Sequence, residues 1–153
     1  MKKINSHTLP EEVWTSSDGQ YSTSDKDISV ALGREANSTD LMKRHPFDVE
    51  ITRVAPGKPN TPFHAHSEQW EFYHILSGTG KVRDAEGETP IEPGDAFLFK
   101  PGEAHQIFNN GTEDLVMYVI ADNPLSESVY YPDDDKWIVR SPRQVYVREM
   151  KRE

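Results

Sequence analysis

The sequence predicts an all-β domain, a sandwich or barrel preceded by an N-terminal strand arm. Three observations carry this. Apolar and polar residues alternate in short runs, as half-buried strands require. Turn residues recur every eight to twelve positions from about residue 47 to 121, a spacing that favours a sandwich or barrel over any βαβ arrangement. No segment shows the spacing of a long amphipathic helix.

Taken in order, Ile28, Val30 and Leu32 alternate and predict a strand ahead of the barrel. Ser38-Thr39-Asp40-Leu41-Met42 predicts one helical turn, ended by Pro46. Val49 and Ile51 alternate in the next strand. Phe72 to Leu76 is a β-prone run closed by Ser77-Gly78-Thr79-Gly80, and Lys81-Val82-Arg83 leads into a hairpin turn at Asp84-Ala85-Glu86-Gly87. Glu92-Pro93-Gly94-Asp95 places Pro then Gly as a type II turn wants them. Ala96 to Phe99 forms a strand that Lys100-Pro101-Gly102 breaks. The runs His105 to Phe108 and Leu115 to Ala121 flank a turn at Asn109-Asn110-Gly111. Residues 10–27 are polar, with Trp14 and Tyr21 as isolated anchors. The chain therefore divides into an arm and strand over 1–46, a barrel core over 47–121, and a C-terminal loop and strand packing on the barrel over 122–153. No internal repeat is present.

Composition narrows the chemistry. The 153 residues suffice for one core, and the absence of cysteine excludes disulfides, thiolate zinc sites and cysteine nucleophiles. Any metal must sit on nitrogen and oxygen. A formal charge of −9, from 26 acidic against 17 basic residues, argues against nucleic acid as a partner. Neither a signal peptide nor a membrane-spanning stretch is apparent, and the expectation is a cytoplasmic protein with a small-molecule ligand and no membrane partner.

The informative stretch runs from Gly57 to Gly78 and contains His64-Ala65-His66 and Glu71. Side chains alternate along a strand, so His64 and His66 project from one face and can reach one ion. Glu71 lies five residues past His66, and a turn through Ser67-Glu68-Gln69-Trp70 lets it begin a neighbouring strand facing the same point. A second stretch, Pro93-Gly94 to Asn109, supplies a third imidazole, His105, just after the Pro101-Gly102 turn.

These two stretches resemble the paired motifs of the cupin superfamily. The first motif reads G, five residues, HxH, three or four residues, E, six residues, G; the second reads G, five residues, PxG, two residues, H, three residues, N. The chain departs by one extra residue between Gly57 and His64, and by Lys100 where the second motif has Pro, with Pro101 beside it. Neither departure touches a ligand. The resemblance, to small single-domain conserved-barrel cupins of the sugar-phosphate-isomerase type, implies a jelly-roll barrel holding one divalent metal ion per chain on His64, His66, Glu71 and His105. It also implies a range of activities: dioxygenases, isomerases, decarboxylases and non-catalytic binding proteins. Mixed nitrogen and oxygen ligands suit Mn, Fe, Co, Ni, Cu or Zn. Three such imidazoles and one carboxylate leave an octahedral ion two open positions, which favours a metal-dependent enzyme acting on a small oxygen-rich metabolite. The alternatives are a protein that clamps a sugar or organic acid without turnover, and a barrel that the metal only stabilises.

Other polar residues read less distinctly. Tyr73 shares the ligand face and is either a hydroxyl behind the ligands or barrel filling; Glu68 is the other candidate acid–base group. Trp70, Arg83 and Tyr118 are weak candidates for contacting substrate. His74 faces away from Glu71 and reads as a packing or interface residue. The strand expected at residues 28–32 needs a sheet to pair with, which predicts a homodimer joined through the N-terminal strands, a common cupin arrangement by resemblance.

Overall fold

A computed structural model describes residues 1–139 and the backbone of 140–141 and 144–149; the last part of the expected C-terminal segment, residues 142–143 and 150–153, lies outside the described residues. In chain order the strands and helical turns are β1 (Glu12–Thr15), β2 (Ser22–Asp27), α1 (Ile28–Ala31), α2 (Leu41–Arg44), β3 (Phe47–Val54), β4 (Ala65–His66), β5 (Glu71–Ser77), β6 (Gly80–Arg83), β7 (Glu88–Ile91), β8 (Ala96–Phe99), β9 (Gln106–Phe108), β10 (Leu115–Asp122), β11 (Glu127–Tyr131), β12 (Lys136–Ser141) and β13 (Gln144–Glu149). Three antiparallel sheets result, in the orders β1-β2-β3-β10-β5-β8, β13-β12-β11-β4 and β7-β6-β9. They form the jelly-roll barrel the motifs imply. Among the described residues no helix is long and apolar enough to cross a membrane.

Register decides what faces the barrel interior. Directly opposed residues share a face, so Asp48, Ala121, Glu71 and Phe99 make one inward row across β3, β10, β5 and β8. The next row is Glu50, Val119, Tyr73 and Phe97, with Asp27 of β2 opposite Glu50. The third is Asp25, Thr52, Met117 and Ile75. Past it the interior closes on an apolar cluster built around Val54, Ile75, Val82, Ile107, Leu115 and Met117. One end of the barrel is therefore packed core, and the other is lined by polar side chains.

Gly78 shows how tightly the packed end is drawn. It ends the first motif at φ +79°, and a Cβ there would collide with the Asp114 carbonyl. Glycine is required both by the left-handed backbone and by that close approach.

Two expectations are corrected. Residues 28–32 are no strand: the Asp27 carboxylate accepts the Val30 N–H at 2.7 Å and caps a helical turn, whose Ser29 hydroxyl accepts the Val49 N–H at 2.8 Å. Val30 and Leu32 stay exposed at 47% and 37%, so their alternation marks no buried face. In β3 the alternation is real but its phase is inverted. Thr52 and Val54 are buried inward together with Asp48 and Glu50, while Val49 and Ile51 lie on the outer face. The turn expected at 38–42 is present one step later, as α2 capped by Asp40 and ended at His45 before Pro46.

Candidate metal centre

His64 and His105 are brought together by backbone. Their N–H groups exchange hydrogen bonds with each other's carbonyls at 3.1 and 2.8 Å, which sets the two rings 4.7 Å apart. His66 follows in β4, fixed by pairing with Val129 of β11. The chain then loops through residues 67–70 and re-enters the barrel with Glu71 as the first residue of β5.

That loop is held by one carboxylate. Glu127 accepts from the Ser67 N–H at 2.7 Å, the Ser67 hydroxyl at 3.0 Å, and the Glu68 and Gln69 N–H groups at 3.3 and 2.8 Å. It therefore sets the separation between His66 and Glu71, and its Oε1 lies 3.9 Å from His66 Nδ1. Glu127→Ala leaves those donors without their anchor and is expected to weaken metal binding by roughly tenfold, measured by competition against a chelating dye; unchanged affinity would show that the loop holds its shape alone.

Side-chain geometry sets the electronic character of the site. His64 Nδ1 lies 2.8 Å from the Pro62 carbonyl and His105 Nδ1 lies 3.2 Å from that of Glu103. Carbonyl oxygens only accept, so both Nδ1 atoms carry hydrogen and both Nε2 lone pairs point inward. There His64 Nε2 meets His66 Nε2 at 3.1 Å, His105 Nε2 meets Glu71 Oε2 at 2.8 Å, and His66 Nε2 lies 3.4 Å from Glu71 Oε1. Lone pairs packed this closely repel unless a proton or a metal cation sits among them. The set contains nitrogen and oxygen only, with His105 joined to it through Glu71 at 2.8 Å, so these residues fit a divalent transition-metal ion. His64, His66 and Glu71 form a group whose ligand atoms all lie within 4.8 Å of one another.

The protonation states agree. Burial, reinforced by the charge of His105, lowers His64 to about 4, so it stands as a neutral ligand. For Glu71 burial acts to raise the carboxyl, but protons shared with His105 and His66 in the metal-free site, and the positive charge they bring, outweigh it and hold it well below the usual carboxylate range; a bound cation would take the place of those protons. Tyr73 donates its hydroxyl to Glu71 Oε2 at 3.0 Å and lies 3.3 Å from His105 Nε2. Burial and the Glu71 charge keep it a phenol, pushed well above the ordinary tyrosine value.

Of the other residues singled out in the sequence, Glu68 is exposed and meets Glu127 only through its backbone. Trp70 is exposed beside it. Tyr118 opposes Ile51 and His74 on the outer face of the sheet. Arg83 pairs with Asp133 at 2.7 Å and covers the Phe63 ring at 4.0 Å. None of these four lines the cavity at the centre. That cavity measures about 410 Å³, and its walls include His64, His66, Glu71 and, from the opposite side, Asp25, Glu50 and Thr52. The sequence reading missed this acidic wall. The signal was present in the strict alternation of Asp48, Glu50 and Thr52, but polar alternation reads as a solvent face.

Comparison with known proteins agrees with this architecture. The family profile described as Cupin domain matches residues 50–121. An oxalate-binding protein of Thermotoga maritima is 36% identical over 63 residues, 41% of this chain and 51% of that protein. Auxin-binding protein 1 of Arabidopsis thaliana is 33% identical over 95 residues, 56% of this chain and 47% of that protein. The chain thus spans about half the length of the curated relatives it matches. Among solved structures, a protein provisionally described as a sugar phosphate isomerase from Acidithiobacillus ferrooxidans superposes with a TM-score of 0.81 at 25% identity, covering 96% of this chain and 92% of that one.

Proposed function

Because the barrel of this chain belongs to the cupin superfamily, we propose that the protein is a mononuclear metal-dependent enzyme acting on a small oxygen-rich metabolite, with His64, His66, Glu71 and His105 as the four protein ligands. One observation carries the reading: inward-facing Nε2 lone pairs and an ionised carboxylate meet at the wall of a cavity large enough for a small metabolite. A bound divalent ion would supply Lewis-acid polarisation of a chelating pair of substrate oxygens, the chemistry shared by isomerases, decarboxylases and dioxygenases. The chain's own residues do the rest. Tyr73 fixes the Glu71 carboxylate, Glu127 fixes the loop, and the enclosed polar walls orient the substrate and limit its access to water.

The test is elemental analysis of the purified protein followed by thermal melting. The expected result is close to one Mn, Fe, Co, Ni, Cu or Zn per chain, with the melting temperature lowered by chelator and raised further by a small chelating hydroxy acid or diol. A protein purified and reconstituted without bound metal would overturn the reading.

A second reading, binding without turnover, is favoured by one feature. The Tyr73 hydroxyl, beside the centre, is already engaged by Glu71 and His105 and is poorly placed to serve as a free base. The oxalate-binding relative is consistent with it. Assembly as a homodimer is also proposed, through edge strand β1, which exposes Val13 and Trp14. Light scattering that reports a monomer at micromolar concentration would sink it.

A further inference from the structure

The polar end of the barrel carries carboxyl groups where a second apolar layer would be expected. Asp25 on β2 and Glu50 on β3 both face inward, with Thr52 between them: Thr52 lies opposite Asp25, and its hydroxyl donates to Glu50 Oε1 at 3.3 Å. Thr23 donates to Asp25 Oδ2 at 2.7 Å, while Asp25 Oδ1 is buried with no hydrogen-bond partner among the described residues. These residues share a cavity with His64, His66 and Glu71. In register, Glu50 is separated from Tyr73 only by Val119, so it stands two strand spacings, about 10 Å, from the strand that carries Glu71.

No lysine or arginine is among the residues described as lining this cavity. The nearby cations are used elsewhere. Arg34 pairs with Asp48 at 2.7 Å, and Lys26 is directed to Glu11 at 3.7 Å. A phosphate ester bound here would put about two negative charges against Glu71 and the acidic wall, without the Arg or Lys contacts that phosphate sites use. Hydroxyl groups suit the same wall well, because each both donates and accepts.

We propose that Glu50 and Asp25 form the second wall of the binding site and select a neutral polyhydroxylated ligand, an aldose, ketose or polyol of about three to six carbons, against its phosphate ester. The proposal rests on the metal reading above: one end of the ligand lies at the metal wall and its remaining hydroxyls bond the acid pair. Burial, with the charges of Asp25 and Asp48, raises Glu50 to about 8, so at neutral pH it presents an O–H donor beside acceptor oxygens of Asp25. A vicinal diol offers the matching acceptor and donor.

The experiment uses the full chain loaded with Mn(II) and checked for stoichiometry before any ligand is added. A wild-type protein that fails this check contradicts the metal reading, not the second wall. Calorimetric titration then compares dihydroxyacetone, D-xylulose and D-fructose with their phosphate esters. The expected result is that at least one neutral compound binds tenfold or more tightly than its ester. Glu50→Ala and Asp25→Asn should each weaken that binding at least tenfold with bound Mn(II) unchanged. Esters binding more tightly than their parents would overturn the proposal, as would heat from neither series on metal-loaded protein. Neutral binding that survives both substitutions would also overturn it. The comparison of parent with ester on the wild-type chain stands even where a variant folds poorly.

Discussion

Replacing His66 with Ala is expected to lower bound metal per chain more than tenfold, and His105→Ala to do the same, whereas His74→Ala leaves it unchanged. His66 Nε2 lies 3.1 Å from His64 Nε2 and 3.4 Å from Glu71 Oε1, so its loss opens one side of the donor set. His105 supplies the contact to Glu71 Oε2 at 2.8 Å and is 1% exposed, so its loss leaves a buried gap beside the carboxylate. His74 opposes Tyr118 and Ala96 on the outer face, across the sheet from the centre. Glu71→Gln is the sharper probe. It preserves shape but removes the carboxylate charge at the centre, so affinity for any dication should fall further than for a lost neutral ligand. Metal content after dialysis, by elemental analysis, checks all four variants. Loss of metal in His74→Ala with retention in His66→Ala would place the ion on the opposite face of β5.

Much of this candidate centre was legible in the sequence because a ligand set able to hold a metal requires a rigid spacing pattern. Two imidazoles one pleat apart, a carboxylate after a four-residue turn, and a histidine behind a Pro-Gly turn each constrain the backbone; the structure gathers ligand atoms of His64, His66 and Glu71 within 4.8 Å of one another and sets His105 2.8 Å from Glu71. Strand β10, which runs through both ends of the barrel, was legible for a similar reason, since Leu115, Met117, Val119 and Ala121 alternate as a half-buried strand must. The polar end was not. β1 and β2 read as an irregular polar segment because Thr23 and Asp25 face a cavity instead of an apolar core. The same cause inverted the phase of β3: Val49 and Ile51 were the apolar members, but the interior at that level holds carboxyl groups. Hydrophobic alternation locates buried faces only where burial is dry. Glu127 escaped notice because its role depends on β11 pairing with β4, a contact between residues some 60 positions apart that no local pattern encodes.

The acidic wall also predicts how stability changes with pH. Glu50 is raised from 4.5 to about 8, chiefly by burial and then by the charges of Asp25 and Asp48. Between those values the unfolded chain releases a proton that the folded chain keeps. Its contribution is therefore complete below about 4.5 and is lost as pH rises to 8. His64 acts oppositely over a lower range. Lowered from 6.5 to about 4, it takes up a proton on unfolding, so stability rises with pH across that window. Between about 4.5 and 6.5 the two largely offset each other, with Asp25 and Asp48, both raised by burial, adding some loss at the acidic end. Above 6.5 the Glu50 contribution stands alone. Urea unfolding of the metal-free protein should lose on the order of 2 kcal/mol between pH 6.5 and 8, with Tyr73, also facing Glu50, remaining protonated throughout. Glu50→Gln keeps the shape and hydrogen-bonding capacity of the protonated acid without a titrating group, so its stability should stay level over the same interval. The variant should be the more stable protein at pH 8. A decline that persists in Glu50→Gln would mean that another group, and not the buried acid of β3, controls stability in the alkaline range.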